Sequence, residues 1–139
     1  MFAGRPAPLH EVVQLAEGWP GTNHTVSIIA RLVEEAQMDP AVRQVAENIV
    51  RRIPEHDKPR EIRAISDFVR RHVRYTNEGI ETTKTPRVLV DEIEKYGTAI
   101  GDCDDMVTLW LALQRMVGTK CRLRVFSQRQ DGQANHIFG

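Results

Sequence analysis

Five consecutive residues, Gly101-Asp102-Cys103-Asp104-Asp105, hold the most visible chemistry in this sequence. They stand at the head of an apolar run through Met106, Val107, Leu109, Trp110, Leu111, Ala112, Leu113, Met116 and Val117, which reads as a helix ended by Gly118. Asp102 is a natural N-cap, and this puts Cys103 in the first turn. Backbone N–H groups there lack intrahelical partners, and the positive end of the helix dipole favours a thiolate over a thiol. The backbone N–H of Cys103 is also suited to hold an oxyanion that develops on an attacked carbonyl. Asp104 and Asp105 work against this, because like charges in one turn oppose a thiolate unless they point away. A reactive Cys103 therefore needs a cationic partner.

His136 is the candidate. Cys121 to Gln128 alternates as a strand, with Cys121, Leu123 and Val125 on one face and Arg122, Arg124 and Phe126 on the other. Asp131-Gly132 reads as a two-residue hairpin loop, pairing Gln130 with Gln133, Gln128 with Asn135 and Ser127 with His136. That register sets His136 and Phe138 on the apolar face, over the N-terminal end of the Cys103 helix. An imidazole there takes the thiol proton and leaves a thiolate–imidazolium pair. Asp102, Cys103, Asp104, Asp105 and His136 are also metal-ligand types. Four consecutive residues splay around a helix axis, however, and no CxxC or HxxxH pair is present, so neither a metal nor a cofactor is assigned. Cys121, inside an alternating strand, reads as core.

The elements that must position this pair are mostly helical. Leu9 to Glu17 shows helical spacing, stopped by Gly18, Trp19, Pro20 and Gly21. Thr22 or Asn23 caps a second helix with the stripe Ile28, Ile29, Leu32, Val33 and Ala36. Asp39-Pro40 opens a third that runs to Pro54, and Asp57 to Pro59 opens a fourth with Ile62, Ile65, Val69 and Val73 on one face. Arg74-Tyr75-Thr76 reads as extended, Asn77 to Lys84 as a polar loop, and Thr85-Pro86 as the cap of a short helix closed by Gly97. Thr98 to Gly101 reads as a loop. Arg51-Arg52 and Arg70-Arg71-His72-Arg74 are read as solvated helix faces.

At 139 residues the chain is long enough for one domain, with residues 1–59 as a helical part and 60–139 as the core. Its 19 Lys and Arg equal its 19 Asp and Glu, which excludes a nucleic-acid binder that works through bulk charge. No apolar run approaches the ~20 residues of a membrane span. Arg5, Pro6, Pro8, His10 and Glu11 break any signal-peptide core. Two cysteines do not make a disulfide framework, so a reducing, cytoplasmic setting is expected.

Gly101 to Asp105 at the head of an apolar helix resembles the nucleophile motif of the transglutaminase-like superfamily. The resemblance continues through Leu109, Leu113 and Gly118, a strand at Arg124-Val125, and His136-Ile137-Phe138 on the next strand. Upstream, Val69 to Tyr75 and Pro86 to Gly97 resemble that family's lead-in to the cysteine, so residues 60–139 are covered. The resemblance implies an α+β, papain-like core with a buried helix on a small antiparallel sheet, and a Cys-His-Asp triad. It further implies thiol acyl transfer on a protein or peptide substrate by a peptidase, amidase or transglutaminase. The third triad acid belongs on the strand after the histidine strand. No residue beyond His136 supplies it, so the core is expected to be abbreviated. Short bacterial and bacteriophage proteins carry such modules, and the alternative function is a non-catalytic module in a larger assembly, such as a virion. For a phage-encoded chain, the host cytoplasm or the virion is the expected location.

Overall fold

The computed structural model describes residues 10–12, 19–76, 82–126 and 136–138, with side chains over 24–76 and 83–123. In chain order the elements are β1 (His10–Val12), α1 (Trp19–Ala36), α2 (Pro40–Val50), α3 (Lys58–His72), β2 (Val73–Tyr75), β3 (Thr82–Lys84), α4 (Pro86–Tyr96), β4 (Ala99–Gly101), α5 (Cys103–Met116), β5 (Arg124–Phe126) and β6 (His136–Phe138). The fold is α+β.

Short polar side chains set the helix starts. Asp39 accepts the N–H of Ala41, Asp57 that of Arg60 and Thr85 that of Val88, each ahead of a proline whose missing N–H would have found no partner in the first turn anyway. α4 ends at Gly97, whose φ of 79° suits the left-handed position that a side chain would strain.

Around α5 the other helices close. It packs against α1, α2, α3 and α4, and also against β3, β4 and β6. Leu109, Ala112 and Leu113 are fully enclosed with Val42, Ala46, Ile65 and Leu89, while Leu111 turns to Ile29 and Val33 of α1. A helix that is apolar nearly all round requires such a central place. Trp110 is half-buried and donates its indole N–H to Ser66 Oγ at 2.9 Å. Among the described residues, no helix is long and apolar enough to cross a membrane.

The strands form three pairs. β1 runs antiparallel to β3, β2 parallel to β4, and β5 antiparallel to β6. Several expectations change here. His10–Val12, inside the expected first helix, is a strand facing Thr82–Lys84, so tertiary pairing overrides the local helical spacing. The rest of that expected helix lies outside the described residues. Trp19, Pro20 and Gly21 do not stop a helix but begin α1, since the first helical N–H groups need no partner and proline fits there. Thr82–Lys84 and Ala99–Gly101 are strands rather than loop. In β4 the backbone carbonyl of Gly101 accepts the N–H of Thr76 at 2.9 Å, which extends the pairing with β2.

The strand expected from Cys121 begins only at Arg124. Gly118, at φ 85°, reverses the chain after α5, and Thr119 N–H returns to the carbonyl of Gln114 at 3.0 Å. The segment that follows thus tracks the helix end, with Cys121 and Leu123 packed beside Ile29, Val33 and Leu111. In the final pair, Phe126 and not Ser127 stands opposite His136. A one-residue slip exchanges the faces, so His136 shares its register positions with Arg124 and Phe126 rather than Val125. The expected pairings at Gln128 to Asn135 and the Asp131-Gly132 turn lie outside the described residues.

Candidate functional site

Asp102 caps α5 as expected. Its Oδ1 accepts the N–H of Asp104 at 3.0 Å and of Asp105 at 3.2 Å, while Asp105 Oδ2 accepts the N–H of Asp102 at 3.1 Å. This reciprocal capping box fixes the first turn, and Cys103 is its first helical residue. Cys103 is half-buried, and its Sγ donates to Asp104 Oδ1 at 3.7 Å. That contact sets one carboxylate of the motif beside the sulfur.

The two acids of the motif behave differently. Asp104 stays beside the thiol, and its backbone carbonyl accepts the Thr108 hydroxyl at 2.6 Å. Asp105 is 2% exposed and turns toward backbone, its Oδ1 accepting the N–H of Lys84 on β3 at 2.8 Å. Burial pushes its carboxyl up to about 7, aided by the negative charge of Asp102 and opposed by the N–H groups of Lys84 and Asp102 and by the Lys84 ammonium. Gly101 closes over this carboxyl. A Cβ on Gly101 would lie 2.7 Å from Asp105 Cβ, so any other residue there forces Asp105 to shift.

Lys84 and Glu92 complete the surroundings. Lys84 Nζ donates to the Ile100 carbonyl at 2.6 Å and to both Glu92 oxygens at 3.0 and 3.3 Å, and Glu92 Oε2 accepts the Ile100 N–H at 3.3 Å. These side chains satisfy both backbone groups of Ile100 on the side of β4 away from β2. Sequence reasoning missed both residues, since Lys84 read as the end of a polar loop and Glu92 was not singled out in its short helix.

β6 begins at His136 and packs against α5, so the backbone brings the histidine strand to the helix that carries Cys103. The His136 side chain, and with it the expected approach of imidazole to thiol, lies outside the described residues. Cys121 sits beyond the other end of α5, half-buried, where burial pushes its thiol up and Arg115 partly offsets this. Among the described residues, no three His, Cys, Asp or Glu side chains converge as a metal site. Of the basic runs, Arg70 pairs with Asp67 on the surface at 3.1 Å, whereas His72 is half-buried and stacks on Phe68.

A capped, buried helix with a cysteine at its head, set in an α+β core, is the framework that a family comparison can test. Residues 43–138 match the family model of the Transglutaminase-like superfamily, and the chain belongs to that superfamily. The match begins within α2, upstream of residue 60, and ends on β6. No curated protein and no solved structure matches the chain.

Proposed function

We propose that the protein is a cysteine-dependent acyl-transfer enzyme of transglutaminase-like type, acting on protein or peptide amides. Cys103, the first residue of the capped helix α5 against which the histidine strand packs, is the observation that carries this proposal. In the proposed step, His136 takes the Cys103 proton and Sγ attacks an amide carbonyl carbon. The backbone N–H of Cys103 supports the oxyanion. The C–N bond then breaks, the imidazolium gives its proton to the departing amine, and a thioester remains. Water resolves the thioester in a peptidase or amidase, and a primary amine does so in a transglutaminase. The proposed compartment is the cytoplasm, where thiols stay reduced.

Competitive labelling of the folded chain with iodoacetamide near pH 7.5 tests this proposal. Cys103 is expected to react at least about tenfold faster than Cys121, because only Cys103 has a helix N-terminus and a proposed histidine partner. Equal or reversed rates would remove the nucleophile assignment. They would favour a second reading, a non-catalytic binding module of a larger assembly such as a virion. The specific support for that reading is the Cys103–Asp104 contact, in which the sulfur faces a carboxylate.

A further inference from the structure

The capping box accounts for one oxygen of Asp105. The other reaches outside the helix altogether, to the backbone of a strand remote in sequence. Asp105 thus joins three pieces of chain: α5 through its own backbone, the Asp102 N–H at the helix entry, and the Lys84 N–H on β3. Gly101 on β4 leaves no room for a side chain of its own beside the Asp105 Cβ. Lys84 is itself fastened to β4 and α4 through Ile100 and Glu92, so the strand end offering this N–H is held in place. A cap needs only the Asp102 contact. The Lys84 contact adds a tether between the thiol-bearing turn and the sheet.

We propose that Asp105 is a positioning residue for Cys103, its carboxylate latching the first turn of α5 onto β3 and so fixing the backbone that carries the thiol. This rests on the assignment of Cys103 as the nucleophile. Asp105 need not touch substrate; it acts through the orientation of the Cys103 N–H and Sγ. Asparagine in its place keeps the shape but offers one acceptor oxygen and an NH₂, so one of the two N–H groups loses its partner.

The test compares the intact 1–139 chain with Asp105→Asn in two measurements. In amide exchange, the Lys84 or Asp102 N–H is expected to lose protection by about tenfold or more, as fits a lost hydrogen bond to a charged acceptor. The Leu113 N–H in the last turn of the same helix should not change. In iodoacetamide labelling at fixed pH, the Cys103 rate is expected to fall by about tenfold while the Cys121 rate stays constant.

The sign of the labelling change is diagnostic. A carboxylate acting only by its charge would oppose the thiolate, so removing it would speed labelling and lower its pH midpoint. Faster or unchanged labelling of Cys103 in Asp105→Asn overturns the proposal, as does unchanged exchange at both Lys84 and Asp102. Slow labelling of Cys103 in the unsubstituted chain is a separate result, and it overturns the nucleophile assignment itself. Should Asp105→Asn fail to fold, Gly101→Ala presses on Asp105 without altering its hydrogen-bonding groups and must give the same two changes.

Discussion

At one end of α5 the chain enters through Asp102 into Cys103; at the other it leaves through Gly118 toward Cys121. The entry is a cluster of acceptors on backbone N–H groups, with side chains of β3 and α4 gathered beside it. The exit is governed by carbonyls. Lys58 Nζ donates to the Val117 carbonyl at 2.6 Å, and Arg115 pairs with Glu34 at 2.9 Å, so cations gather where the helix dipole is negative. A thiol at the entry lies at the positive end of the helix dipole, whereas burial pushes the Cys121 thiol up. Position along one helix, more than residue type, separates a candidate nucleophile from a packing residue.

The largest test of this contrast is catalytic. Turnover of peptide or glutamine amides is expected to fall at least about a thousandfold in Cys103→Ser and to be unchanged in Cys121→Ser. Equal losses would erase the distinction between the two ends. Next in size is Leu113→Ala, on the same helix and fully buried, with an expected loss of about 3 kcal/mol in a urea titration. It should destabilise the whole domain and spare the ratio of the two labelling rates in the native state.

A pH-dependent difference sharpens the comparison further. The Asp105 carboxyl keeps its proton up to about 7 in the folded chain, against an ordinary value of 3.8. Between those values the folded state binds the extra proton, so stability falls as pH rises through this window and then levels off. Urea midpoints should therefore be higher at pH 5 than at pH 7.5 once the same difference in Asp105→Asn is subtracted. A flat or rising difference would contradict the burial of this carboxyl. The smallest effects are at the caps. Asp102→Ala is expected to lower stability by about 1 kcal/mol and to slow Cys103 labelling. Lys58→Met at the exit should cost about 0.5 kcal/mol and leave Cys103 untouched.

Much of the helical framework was legible because capping is local chemistry. Asp39, Asp57, Thr85 and Asp102 each accept an N–H within three residues, and Gly97 closes α4 by its own backbone. The buried place of α5 was equally legible from its all-round apolar surface. The three-residue strands were not. His10–Val12 and Ala99–Gly101 owe their extended form to partners far along the chain, Thr82–Lys84 and Val73–Tyr75, and nothing in their own spacing announces this. The final register slipped by one residue because the expected pairing relied on an assumed loop length. At the site, Asp102 and Cys103 were readable from type and position. Lys84 was not, since the group it presents to Asp105 is a backbone N–H that any residue except proline could supply.

The pairing of His10 with Lys84 bears on how far the chain can be trimmed. Lys84, the residue that holds Asp105, lies against a strand near the N-terminus, well outside the segment 43–138 that matches the family. Cutting the protein to that segment removes the neighbour of β3. It also strips α1 from the Leu111 side of α5, baring an apolar face that Ile29 and Val33 now cover. The stretch that matches the family is thus shorter than the stretch packed around α5, and residues upstream of the match cover one face of that helix.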